Sequence, residues 1–226
     1  MRNLTFLPLF ITIAAYQIGL FLSKKVKSPL CNPLLIAIVL VISTLLLTGY
    51  PNETYQAGMT GISWLLTPAT ICLAVPLYEQ LQVLKKDLWA ILISICAGTV
   101  TSLLFVFGFC RIAGLGDTLT ASLLPKSVTT AVGLALSEQA GGNGAIATAA
   151  IIITGILGSI IGPTLCKLLR IKHPIAQGVA FGTASHVIGT SKAHELSELT
   201  GAVSSLSLTI AALITTLLLS FLSQFV

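Results

Sequence analysis

Charge is what this sequence has least of. Only 8% of its 226 residues are Asp, Glu, Lys or Arg, where soluble domains carry about 25%. So few charged groups cannot coat a soluble fold of this size, which excludes an ordinary water-soluble globular domain. Paired cysteines are missing too. Cys31, Cys72, Cys96, Cys110 and Cys166 are odd in number, scattered, and without a CxxC spacing. They read as small apolar packing residues, and neither a disulfide nor a metal nor any other cofactor is expected. Acids are missing from the apolar stretches, so a Ser-His-Asp arrangement has no buried carboxylate to orient its base. His194, Glu195 and Glu198 do not have HExxH spacing. Gly141-Gly142-Asn143-Gly144 lacks the Gly-Lys-Ser/Thr ending of a phosphate-binding loop and reads as a flexible turn. An enzyme is therefore not expected. The net charge of +5 sits in short clusters with no aromatic interleaving, which excludes a nucleic-acid surface.

What is there is apolar, at 55% of the chain. Clusters of charge leave stretches at roughly 3–23, 28–52, 54–78, 88–110, 118–137, 139–166, 173–191 and 199–226, broken only by Lys126. A helix needs ~20 residues to cross the ~30 Å hydrocarbon layer. These stretches are apolar on all faces rather than along one stripe, as burial in lipid or a bundle requires. The reading is an all-α integral membrane protein of about seven to eight hydrophobic segments, multi-pass in the lipid bilayer. The first stretch is kept as a spanning helix rather than a cleaved signal, because Lys24, Lys25 and Lys27 follow it without a small-residue cleavage motif. Basic clusters at segment ends set orientation by the positive-inside rule. Trp89, and less clearly Trp64 inside its segment, mark interface depth.

Segments start near 4, 31, 60 and 88, and again near 119, 145, 174 and 202, an offset of about 114 residues. The spacing points to two repeats, 1–113 and 114–226, in one integrated transmembrane domain. Lys24, Lys25 and Lys27 precede segment two, whereas Lys167, Arg170 and Lys172 follow segment six, its counterpart. The two then run in opposite directions, as in the inverted repeats of secondary transporters. Eight full crossings would break that inversion, so one segment should be broken or re-entrant. The stretch 119–137 is the candidate, because Pro125 removes a backbone hydrogen bond and the hydroxyls after it serve freed backbone groups. Pro68 and Pro76 interrupt segment three, and Gly182 and Gly189 interrupt segment seven. Irregular backbone at membrane depth persists only where protein or a water-filled cavity satisfies it, so the three stretches should share a polar centre.

Lys126 is the one charge inside an apolar stretch. Either it snorkels to the interface, or it attracts an anionic solute beside amides freed at a broken helix start. His186 is either a histidine bonded to a neighbouring helix or a solute ligand and proton-coupling group. Ser127, Thr129, Thr130, Ser185 and Thr190, with Thr67 and Thr70 from segment three, could donate to carboxylate oxygens. Each could equally bond only its own backbone.

Four stretches then carry a resemblance that spans essentially the whole chain. Asn32-Pro-Leu-Leu35, Leu73-Ala-Val-Pro-Leu-Tyr78, Leu124-Pro-Lys-Ser-Val-Thr-Thr130 and Gly182-Thr-Ala-Ser-His-Val-Ile-Gly-Thr190 resemble signature stretches of the LrgB/CidB family. Ala131 replaces a proline common after the Thr-Thr pair, and Asn143-Gly144 replaces a proline-bearing sequence. The resemblance implies two functions. One is an antiholin-like role in murein hydrolase activity and cell lysis, alongside a small LrgA/CidA-like membrane subunit. The other is transport of a small monocarboxylate, of the pyruvate class or of the glycolate and glycerate moved by a plastid relative. Three interrupted segments and a lone intramembrane lysine favour an ion-coupled carrier of a small carboxylate anion in a bacterial inner membrane. Scattered small residues permit a homodimer.

Overall fold

A computed structural model of the chain describes residues 6–25, 33–65, 68, 71, 72, 75, 78 and 81–222. Regular structure among these residues is helical throughout, as the apolar patterning requires. The chain divides into two compact units, Met1–Cys72 and Leu73–Val226. That division concerns compactness, whereas a repeat boundary at 113 concerns spacing.

The first unit contains α1 (Leu7–Lys25), α2 (Pro33–Thr48) and α3 (Asn52–Ser63). Pro8, Ala15 and Gly19 are the buried residues of α1, and with Thr12 between them they lie on one helical face. Thr12 Oγ1 is 2.7 Å from the Tyr55 hydroxyl of α3. A side chain at Gly19 would come 2.5 Å from the Pro33 carbonyl oxygen at the start of α2. In segment three, α3 starts earlier than the expected 60 and ends at Ser63, and Pro68 is helical and exposed. Pro76, Thr67 and Thr70 lie outside the described residues.

The second unit contains α4 (Leu81–Lys86), α5 (Leu88–Ile112), α6 (Asp117–Leu123), α7 (Thr130–Gln139), α8 (Gly144–Leu168), α9 (Pro174–Leu196) and α10 (Glu198–Leu222). Ile91, Ile95, Thr99, Leu103, Val106 and Cys110 form the buried face of α5 at three- and four-residue spacing. Its other faces leave Trp89, Ile93, Phe105 and Phe109 exposed. Apolar side chains on an outer surface are costly in water and neutral in lipid. Leu7–Lys25, Leu88–Ile112, Gly144–Leu168 and Glu198–Ser220 are long and apolar enough to cross a membrane, and α2 adds a shorter apolar helix. The chain is a multi-pass membrane protein.

α9 packs along both α8 and α10. Small residues permit the approach: a side chain at Gly178 would come 2.7 Å from the Thr200 carbonyl oxygen, and one at Gly162 would come 2.5 Å from Phe181 Cε1. Gly178 with Gly182, and Gly158 with Gly162, have the four-residue spacing by which membrane helices close on each other.

Candidate functional site

Two helices of the second unit are interrupted, and both breaks contact α8. The first falls where Pro125 stands. α6 ends at Leu123, a turn follows, and α7 begins at Thr130. The turn is closed by Lys126 N–H on the Leu123 carbonyl at 3.2 Å and Val128 N–H on the Pro125 carbonyl at 3.2 Å. Thr129 takes the cap position of α7 in extended conformation, and its side chain makes no capping bond. The first amides of α7 are thus without side-chain caps, and a helix start of this kind attracts negative charge. Gly133 and Ile151 hold α7 against α8, since a side chain at Gly133 would come 2.5 Å from Ile151 Cδ1.

The second break is at His186, which has φ 41° and ψ −138° inside α9. Glycine tolerates this region and histidine does not, at a cost of roughly 1–3 kcal/mol. Its surroundings hold it there. The imidazole is buried and its Nε2 donates to the Ile151 carbonyl at 2.9 Å. A carbonyl only accepts, so a neutral ring carries its proton on Nε2 and leaves Nδ1 as acceptor. Thr190 Oγ1 donates to the His186 carbonyl at 2.9 Å and lies 2.8 Å from Ser204 Oγ on α10. On α8, a side chain at Gly155 would come 2.6 Å from His186 Cε1. Gly182 and Gly189 are therefore not the breaks. Both are helical, and the interruption falls on the histidine between them. Their smallness serves contact instead, with Gly182 against α10 and Gly189 against Ser185 and the Phe181 carbonyl.

Lys126 is partly buried beside the first break, with no carboxylate within ion-pair reach among the described residues. Its Nζ donates to Ser127 Oγ at 3.3 Å, and Ser127 Oγ lies 3.3 Å from Ser102 Oγ on α5. Ile151 of α8 meets both breaks: its Cδ1 faces Gly133 of α7, and its carbonyl accepts from His186. The two breaks therefore lie against the same stretch of α8, with a cation and hydroxyls at one and a buried imidazole at the other. Thr130 is exposed and Thr129 partly buried. Ser185 is buried and faces Gly158 of α8. Thr190 serves the α9–α10 contact and positions the histidine carbonyl. Ser102, Gly155 and the Ile151 carbonyl were not legible as site residues. Ser102 is one of four hydroxyls in its apolar run, with Ser94, Thr99 and Thr101, and Ile151 bonds the histidine only through its backbone.

Relieving the strain gives a test of the second break. His186→Gly should keep the fold, because the φ cost of roughly 1–3 kcal/mol disappears and offsets the lost bond to Ile151, about 1 kcal/mol. His186→Ala keeps the strain and loses the bond, so its thermal unfolding midpoint in detergent should fall well below that of the glycine variant. Equal midpoints would mean that the backbone relaxes freely at this position.

The LrgB-like family profile matches residues 12–225. A holin-like protein CidB of Staphylococcus epidermidis is 38% identical over 216 residues, covering 96% of this chain and 94% of the relative. An antiholin-like protein LrgB of Bacillus cereus is 37% identical over 217 residues, with 96% and 94% covered. No solved structure matches the chain. With a family match over nearly its whole length and full-length relatives above a third identical, this chain belongs to the LrgB-like family.

Proposed function

We propose that this chain acts in holin- or antiholin-like control of cell lysis, from the cytoplasmic (inner) membrane of a bacterium. Supporting this reading is kinship over nearly the full length with proteins named holin-like and antiholin-like. Those names favour lysis control over transport. Such a role asks mainly for helices that associate closely, and the glycine faces of α8 and α9 are of that kind. A small LrgA/CidA-like membrane subunit is the partner this reading adds.

A second reading rests on one specific observation, the pair of helix breaks against α8 with Lys126 at one and His186 at the other. Helix interruptions beside a partly buried cation are superfluous for association and useful for binding a solute. Under this reading the chain is a secondary transporter of small monocarboxylates, of the pyruvate or glycolate/glycerate class, ion-coupled and working by alternating access between inverted repeats at 1–113 and 114–226. Lys126 anchors the carboxylate, Ser127, Thr129 and Thr130 donate to it, and Ser185 with His186 act from α9 of the same repeat.

Two measurements separate the readings. The first is uptake of labelled pyruvate and glycolate into liposomes holding only this chain, with and without a proton gradient. The second is the autolysis rate of cells lacking it. Saturable uptake by the chain alone supports the carrier. Folded protein without uptake, together with an altered autolysis rate, supports lysis control.

A further inference from the structure

The second unit contains a largely apolar groove of about 340 Å³ between α8 and α9, with Ser185 the one hydroxyl in its lining. Leu157, Ile161, Leu165 and Leu169 form one wall, and Gly158 and Gly162 leave its floor open to Phe181. From Leu157 to Leu169 the groove follows twelve residues of helix, or about 18 Å at 1.5 Å per residue. That is close to one leaflet of a hydrocarbon layer ~30 Å thick. Its lining residues Cys166, Leu169 and Ile171 alternate along the chain with Lys167, Arg170 and Lys172. All three cations are exposed, and none pairs with a carboxylate among the described residues. The turn that carries them is fixed. Arg170 has φ 57°, in the left-handed region that usually ends a helix with glycine. Ile171 N–H donates to the Cys166 carbonyl at 2.8 Å.

A groove one leaflet long, largely apolar along its length and reaching a cationic turn, matches a molecule with an apolar tail and an anionic head. We propose that the α8–α9 groove binds an anionic phospholipid of the leaflet facing Lys167, Arg170 and Lys172. One acyl chain lies along Leu157–Leu169 and the phosphate head rests on the three cations. Orientation by positive charge would place cations at this membrane face without any groove. The groove reaching the turn that carries them, through Cys166, Leu169 and Ile171, is what points to a bound lipid rather than to orientation alone. The assignment holds whether the chain is a carrier or a lysis regulator.

The test uses the full chain in detergent micelles doped with phosphatidylglycerol or with phosphatidylcholine, and native mass spectrometry to count retained lipid. The wild type should retain phosphatidylglycerol in preference to phosphatidylcholine. Replacing Lys167, Arg170 and Lys172 by Gln should lower that preference by roughly fivefold per cation, since each is worth about 1 kcal/mol at a membrane surface. Ala184 is exposed and lines the groove, so Ala184→Leu should fill it from outside the core and reduce retention of either lipid. Ala180→Leu does the same from the next turn if the first variant folds poorly. Equal retention of both lipids by the wild type, or an unchanged preference in the glutamine variant, would overturn the proposal. So would an Ala184→Leu protein that keeps its lipid but changes oligomeric state, because the occupant would then be a second copy of the chain.

Discussion

Lys126→Ala should lower carboxylate uptake by roughly tenfold to a hundredfold while leaving the protein folded. Hydrogen bonds to a charged group contribute about 1.5–3 kcal/mol, and that range corresponds to the stated loss in binding. The same substitution removes a cation that costs about 3 kcal/mol near the bilayer centre. Its bonding partner Ser127 keeps the contact with Ser102, so no buried donor is orphaned. Thermal stability should therefore hold or rise as uptake falls, a combination that a merely structural lysine would not produce. Lys126→Arg keeps the charge and supplies a planar fork in place of a point charge. It should restore part of the uptake if charge attraction dominates. Unchanged uptake in Lys126→Ala liposomes would remove the anion-anchor role from Lys126.

Gly182→Leu should prevent the second unit from closing. A first side-chain carbon at this position overlaps the Ser204 carbonyl oxygen, and it lies 2.7 Å from Ser207 Cβ and 3.0 Å from the Leu208 amide nitrogen. Two of these three neighbours are backbone atoms of α10, which cannot turn aside as a side-chain tip can. Even Gly182→Ala should cost about 1–3 kcal/mol by overpacking, and leucine should push α9 off α10 altogether. Association in lipid depends on close packing because no hydrophobic drive compensates for a lost contact. Gly108→Ala is the matched control. Nothing stands within 4 Å of its added carbon, and helix propensity should make it neutral or stabilising by up to about 1 kcal/mol. The comparison is read from detergent-solubilised thermal unfolding. Similar midpoints for Gly182→Ala and Gly108→Ala would mean that α9 and α10 are less tightly joined than their glycine contacts imply.

Both predictions concern features that differ in how far they could be read beforehand. The break near Pro125 is a local matter. Proline lacks an amide hydrogen wherever it stands, so the end of α6 and the restart at Thr130 follow from the chain itself. The helix starts near 33, 88, 144 and 174 also lie close to expectation, because charge clusters and ~20-residue apolar runs mark them. Lys126 stood out for the same reason, as a single cation in an apolar stretch.

Segment seven shows the other side. Its glycines suggested the breaks, yet Gly182 and Gly189 are helical and His186 bends. Backbone preference alone would never choose a histidine for φ 41°. The Ile151 carbonyl, Thr190 and the space left by Gly155 choose it together. Ser102 joined Lys126 and Ser127 by the same kind of long-range contact.

By itself, then, the sequence determined that this chain is helical, belongs in a bilayer, breaks near Pro125 and carries one cation within an apolar stretch. Each of these depends on chemistry that a residue carries with it: a charge, a missing amide hydrogen, a run of apolar side chains. Only the tertiary structure decided which helix faces meet, where α9 bends, and that a groove beside α8 reaches the turn carrying three cations. A membrane helix is apolar on every side, so its pattern does not mark the face that packs. That choice is made by the fit of small residues against a neighbour distant in sequence.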